Sequence, residues 1–474
     1  MKKFFATALL CLFTFLLFAQ EGYEIKITLK PFKNQYIYLG HYFGKQMPII
    51  DSVKLDEKSE GSFKGSKKLG GGIYMVGFPD RGRSFEVLIG KNQKFSIVAD
   101  TATIVKKIIY KNSPENDQFI AYQDFMIRNG RALDSLQKLR SSNRKDSSRL
   151  NAQMDAVNTS IKTYRLNIIK SDPDGLLSTL LKGMREPEIT QNDPRLKSDS
   201  LFAYKYFKNH YWDGVNFWDD RLARTPFFEP RIDKYFERLV YPSADSVIKE
   251  IDWMLSYASA SEEMQRFLLL KFLNRYLNQK YMWEDAVFVH LFEKYFSQKT
   301  YPWLSEQGKK LITDRAYSLM ANITGSPASD VVLTDSSGKI KTLYSIKAPY
   351  TVLVIWDPSC GHCKEVLPRI DSFYRAKWKA QGVQLYGLAK ETDAKRVDWT
   401  SFIVQHKLQD WTHVYYSREE EKKRTEAGIP GYSQLFDVQS FPTLYLLDKD
   451  KRIIAKKLTE QQLDDIISTR EKKL

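Results

Sequence analysis

The sequence predicts a multidomain protein: an N-terminal all-β sandwich or barrel, a central all-α region and a C-terminal α/β domain. Three observations carry this. Apolar and polar residues alternate in short runs as far as residue 112, and apolar residues recur at three- and four-residue steps from there to about residue 323. Beyond that point strand and helix patterns alternate. At 474 residues the chain is too long for one ordinary domain. Its 28 Phe, 27 Tyr and 9 Trp can fill a sizeable core, which excludes disorder over any long stretch.

The chain opens with Lys2 and Lys3 ahead of the apolar run Phe4–Phe18, the pattern of a secretory signal peptide with cleavage after Ala19. The run is short for a bilayer span, so an uncleaved anchor is the weaker alternative. Cleavage removes Cys11 and leaves Cys360 and Cys363 as the cysteines of the mature chain. A disulfide-stapled scaffold is thereby excluded. The formal charge of +16 falls to +14 without Lys2 and Lys3. Basic residues are scattered among acids, so the charge reads as solvated surface and no nucleic-acid partner is expected. The expected divisions are 1–19 (signal peptide), 20–112 (β), 113–324 (helical) and 325–474 (α/β).

In the β region, Tyr23–Leu29 alternates with the period of a half-buried strand. Gln35–Gly40, Ile73–Phe78, Phe85–Ile89 and Lys94–Val98 read as further strands, with Gly70–Gly72, Pro79-Asp80 and Gly90–Asn92 as turns. At Ser113-Pro114 the pattern changes to that of a capped helix start. Phe119, Tyr122, Phe125 and Met126, then Leu133, Leu136 and Leu139, mark long amphipathic helices that suggest an antiparallel pair. Asp172–Gly175 and Asn192–Pro194 are breaks. The next helical stretch is rich in aromatics, including Tyr204, Tyr211, Phe217 and Trp218, and these read as core packing. His210 and His290 stand apart from any metal co-ligand and read as structural.

After Gly325–Pro327, strands are expected at Val331–Leu333, Thr351–Trp356, Val383–Ala389, Thr412–Tyr416, Thr443–Leu447 and Ile453–Lys456. Helices are expected at Cys360–Ala380, Ala394–His406 and Glu460–Thr469. The second of these strands ends in a short loop, and Cys360-Gly361-His362-Cys363 falls where the helix begins. Unpaired N–H groups and the positive end of the helix dipole stabilise a thiolate there. Cys360 is then the exposed nucleophile and Cys363 the partly buried resolving thiol, a spacing that closes a disulfide without moving the backbone. His362, inside the loop, favours the thiolate. A zinc site would need a second pair of ligands, which the sequence lacks, so neither a metal nor a cofactor is expected. Three features agree with the cysteine pair: Pro368 in the first helix, Trp356 four residues before Cys360, and Ser440-Phe441-Pro442-Thr443, which reads as a cis-proline loop before an apolar strand.

On these residues the stretch from about Gly325 to Leu474 resembles the thioredoxin superfamily, and more closely its exported TlpA-like branch. The resemblance implies a thioredoxin-like fold, Cys360 as nucleophile, Cys363 as resolving cysteine, and Pro442 beside the disulfide with substrate pairing along Phe441. The long interval from Cys363 to Pro442 fits the strand–helix insertion of that branch. The preceding β and helical modules resemble uncharacterised modules of envelope proteins. Two departures stand out. Val354 occupies the place of the buried acid of thioredoxin, and Val366 that of the TlpA-like glutamate, with Glu365 about 100° away around the helix. Glu391 is a weak substitute for the missing acid.

The leading functional expectation is an exported thiol–disulfide oxidoreductase of the periplasm or cell envelope, acting on protein disulfides and re-reduced by a membrane-bound electron donor. A thiol peroxidase is disfavoured, because Trp356–Ser359 lacks the threonine of the Pro-x-x-x-Thr-x-x-Cys pattern. An envelope partner-binding protein with an accessory redox domain is the alternative from another class.

Overall fold

The structure, a computed structural model, describes residues 22–101, 108–142, 146–190, 192–393 and 396–471. The expected signal peptide at 1–19 lies outside them. The chain divides into two compact units, one reaching to Tyr241 and including Lys249–Lys271, the other comprising Pro242–Ile248 and the chain from Phe272 onward.

The first unit begins with strands β1 (Tyr23–Lys30), β2 (Tyr36–His41), β3 (Ile49–Lys54), β4 (Glu60–Gly65), β5 (Gly72–Gly77), β6 (Ser84–Ile89), β7 (Lys94–Asp100) and β8 (Ile109–Lys111). They form two four-stranded sheets, ordered β4-β1-β7-β8 and β3-β2-β5-β6, which is a sandwich and not a barrel. The alternation read in the sequence puts one face of each strand inward. Ile25, Ile27 and Leu29 of β1 thus meet Ile37, Leu39, Val76 and Val87 of the other sheet. The helices Pro114–Ser142 and Ser147–Ser171 pack side by side as the expected pair. Asn116 fastens the first of them to β6: its side chain accepts from Leu88 N–H at 2.7 Å and donates to Leu88 C=O at 2.8 Å. Phe119, Tyr122 and Ile168 pack on Ile73 and Leu88, so sandwich and hairpin share buried apolar contacts.

One expectation fails in this unit. Tyr211 and Phe217 are buried as the core reading requires, but Tyr204 and Trp218 are half-exposed. Helical periodicity identifies a shared face without saying whether another element covers it.

The second unit carries the helices Glu284–Leu291 and Glu306–Met320, a small β9 (Val332–Thr334) and β10 (Ile340–Thr342) ribbon, and a five-stranded sheet. The sheet is built from β11 (Tyr350–Trp356), β12 (Val383–Lys390), β13 (Thr412–Tyr416), β14 (Thr443–Asp448) and β15 (Ile453–Lys456), in the order β13-β12-β11-β14-β15. Strands β11, β12 and β13 run parallel, whereas β14 and β15 are antiparallel to their neighbours. Central β11 is buried on both faces, which explains its unbroken apolar run. Val352, Val354 and Trp356 face the helices Gly361–Phe373, Arg396–Gln405 and Glu460–Glu471, while Leu353 and Ile355 pack with Leu343, Tyr432 and Phe436.

Buried charges tie the two leading helices of this unit to the sheet. The Lys456 ammonium, 2 % exposed on β15, pairs with the Asp285 carboxylate and donates to the Asn322 carbonyl at 2.7 Å and to its side-chain oxygen. Asp437 takes ion pairs from Arg315, at 2.5 Å, and from Lys457. Arg275 pairs at 2.7 Å with Glu284, whose carboxylate is fully buried.

Candidate active site

The register of the central strands builds the site. Ile355 pairs with Thr443, so the chain leaving β11 and the chain entering β14 meet at the same end of the sheet. Cys360 follows on the first side and Phe441-Pro442 precedes on the second. Cys360 is the N-cap of the helix Gly361–Phe373, in extended backbone (φ −69°, ψ 120°), and its carbonyl accepts from Lys364 N–H at 3.3 Å. Its Sγ lies 3.6 Å from the Phe441 carbonyl oxygen. The Phe441–Pro442 peptide bond is cis.

Both cysteines are free thiols with different surroundings. Cys360 is partly exposed. Cys363, one turn into the helix, is 0 % exposed. Burial pushes its thiol well above the usual range, partly opposed by the Asp357 backbone N–H, with the Cys360 sulfur and the Asp357 charge pushing the same way as burial. The pair therefore couples one accessible sulfur to one that gains little as an anion.

His362 is exposed and lines a cleft of about 230 Å³ with Val366, Ser440, Pro442, Lys457 and Glu460. Phe441 is half-buried at its edge. Trp356 is not at this surface. It is fully buried, its ring 4.9 Å from Phe402, and it supports the end of β11 from beneath. Gly387 of β12 leaves room for the His413 ring beside it: a Cβ there would stand 2.7 Å from His413 Nδ1. Burial holds the neighbouring His413 imidazole down at about 4, so it stays neutral in the core. Pro368 lies inside the first helix. Among the described residues, no three of His, Cys, Asp and Glu gather as a metal site requires.

Val354 is buried and apolar, Glu365 is exposed, and Glu391 accepts from Arg418 N–H at 3.1 Å. None of the three brings an acid to Cys363. Asp357, which the sequence reading passed over, does. It is 6 % exposed. Its Oδ1 accepts from Ser359 N–H and Oγ–H, both at 2.8 Å, and its Oδ2 accepts from the Thr392 hydroxyl. Its carbonyl accepts from Cys360 N–H at 3.1 Å. The signal available was Asp-Pro-Ser directly before the first cysteine, a turn whose acid is held close to the helix start.

A five-stranded mixed sheet with helices on it, and a Cys-x-x-Cys pair at the first turn of the helix after the central strand, define a thioredoxin-like domain of the thiol–disulfide oxidoreductase class. Residues 324–456 match the model of the AhpC/TSA family, and residues 135–322 match a domain of unknown function, DUF5106. Thiol-disulfide oxidoreductase ResA of Bacillus cereus is 28 % identical over 142 residues, covering 30 % of this chain and 73 % of its own length. Among solved structures, a thioredoxin-like protein of Bacteroides caccae is 21 % identical, with a TM-score of 0.45 and coverage of 60 % of this chain and 98 % of that one. A thiol:disulfide interchange protein of a Bacteroides species is 28 % identical, with a TM-score of 0.26 and coverage of 32 % and 91 %. Among the described residues, no helix is long and apolar enough to cross a membrane.

Proposed function

We propose that this protein is an exported thiol–disulfide oxidoreductase that reduces or isomerises protein disulfides through Cys360 and Cys363. The observation that carries the reading is the asymmetry of the pair: a partly exposed sulfur at a helix N-cap, beside the Phe441 backbone, backed by a fully buried one.

The Cys360 thiolate attacks one sulfur of a substrate disulfide, forming a mixed disulfide and releasing the other substrate sulfur as a thiolate. Substrate chain lies along the cleft by Phe441 and Pro442, and His362 stands at the cleft wall. Cys363 then loses its proton and attacks the Cys360 sulfur. The Cys360–Cys363 bond forms and the substrate leaves as a dithiol, so the substrate disulfide has gained two electrons and the enzyme dithiol has lost them. Burial opposes ionisation of Cys363, so this step calls for a local proton acceptor, and Asp357 is the acid held nearby. In isomerisation a substrate thiol takes the place of Cys363. A membrane-bound dithiol donor would restore the reduced pair, and the expected leader at 1–19 would deliver the protein to the envelope.

Reduction of insulin disulfides with dithiothreitol as donor tests the reading. The full chain should accelerate turbidity, and Cys360→Ala should abolish the acceleration. Equal activity of the two would leave partner binding as the role of the chain, and consumption of hydroperoxide without insulin reduction would make it a peroxidase.

A further inference from the structure

One cleft of the first unit, in its helical part, measures about 470 Å³. That size suits a small ligand of one or a few rings. Its apolar wall is a continuous aromatic face. Trp253 and Tyr257, four residues apart on the helix Ala244–Ala258, share one side of that helix with ring centroids 5.6 Å apart. Phe217 packs on Trp253 at 5.4 Å and Trp218 beside Tyr257 at 6.3 Å. Three of these rings are open to solvent: Trp218 is 50 % exposed, Tyr257 47 % and Trp253 37 %. Exposed aromatic rings gathered on one face mark a binding surface more often than rings scattered singly do.

The polar wall narrows the ligand class. Glu250 is already occupied, accepting from the Tyr235 hydroxyl at 2.8 Å and pairing with Lys208 at 3.1 Å. Asp213 pairs with His210 at 2.8 Å. Lys249 stands exposed at the rim and makes no ion pair among the described residues. The amides of Asn209 and Asn216 line the same rim and are exposed. A cationic ligand would meet two lysines, with Glu250 already holding one of them and Asp213 turned to His210. A purely apolar ligand would leave the amides and Lys249 unused. A flat ring with C–H groups on its face and hydroxyls at its edge uses both walls. From this we infer that the cleft binds a saccharide, stacked on Trp218, Trp253 and Tyr257, with hydroxyls on Asn209 and Asn216 and an acidic substituent on Lys249.

Trp fluorescence of the full chain, titrated with trigalacturonate and with neutral galactotriose, tests this. Trigalacturonate should quench saturably. Trp218→Ala should weaken its binding about tenfold, and Tyr257→Ala by a similar factor, because each removes a half-exposed stacking surface. Lys249→Gln should weaken trigalacturonate and leave galactotriose unchanged. Binding of neither saccharide at millimolar concentration, or undiminished binding by both aromatic variants, overturns the assignment. Saturable binding of decaproline in place of both saccharides gives the cleft to peptide recognition and overturns it equally. A preference for galactotriose over trigalacturonate refutes the acidic substituent.

Discussion

Asp285→Asn removes the counter-charge of a buried ammonium while conserving shape. Lys456 is 2 % exposed and retains two acceptors on Asn322. Breaking a buried pair from one side costs about 3–5 kcal/mol, and the surviving acceptors put this case near 3 kcal/mol. For a unit of roughly 200 residues each kcal/mol moves the midpoint by about 2–4 °C, so the thermal transition of the C-terminal unit should fall by about 6–12 °C. The loss should depend on pH with a definite sign. Burial holds the Lys456 ammonium below its ordinary range even with Asp285 present. Between that lowered value and the ordinary one near 10.5, the unfolded chain binds the proton better, so stability rises with pH. Without Asp285 the depression deepens. The gap between variant and wild type should therefore narrow as pH is raised from 7 towards 10. The pair Asp285→Leu with Lys456→Met should recover most of the loss, because no charge is left buried. Scanning calorimetry of the full chain reads all of this. A transition within about 1 °C of wild type for Asp285→Asn, flat with pH, would refute the reasoning.

Other outcomes follow from the site. Iodoacetamide at neutral pH should label Cys360 of the reduced protein at least roughly a hundredfold faster than Cys363, which is buried with its thiol pushed up, and peptide mass spectrometry would show it. Asp357→Asn keeps an acceptor for the Ser359 turn but loses the charge beside Cys363; insulin reduction should slow by about tenfold to a hundredfold at pH 7. That defect should shrink as rising pH lets hydroxide take the proton, whereas a purely structural role for Asp357 predicts a loss independent of pH. A fragment beginning at Gly325 leaves Lys456 without Asp285 and Asn322, and Asp437 without Arg315, so it should melt below one beginning at Phe272.

What the sequence made legible follows from where patterns have a single cause. Strand β11 is buried on both faces and leads into the cysteines, so the apolar run Thr351–Trp356 located it to within a residue. Strand β1, buried on one face, alternated as expected. Strands β3 and β4 went unread because they are half-exposed: Glu60–Gly65 sends one fully buried residue, Phe63, into the core. The helix Arg418–Glu426 buries nothing and has no periodicity to detect, its start marked by Ser417 alone, whose side chain accepts from Glu420 N–H. At the site, Cys360 Sγ lies beside the Phe441 carbonyl, a neighbourhood that the resemblance implied and that spacing alone does not give. Asp357 was missed because an acid in a turn looks like surface until the fold closes Thr392 over it. Trp356 flanks the motif in sequence, but that proximity does not reveal that it is the last inward-facing residue of its strand. The buried Lys456 looked like any lysine ending an edge strand, since its partners lie more than a hundred residues earlier.

The division of labour between the two sulfurs can be read directly by trapping. Cys363 is the resolving thiol in this reading, and without it a mixed disulfide on Cys360 has no intramolecular exit. Cys363→Ala, expressed in cells and analysed without reductant, should accumulate covalent complexes that dithiothreitol releases, while Cys360→Ala should accumulate few or none. Complexes formed equally by Cys360→Ala would overturn the assignment of nucleophile and resolver, and the absence of complexes from both variants would contradict a protein-disulfide substrate altogether.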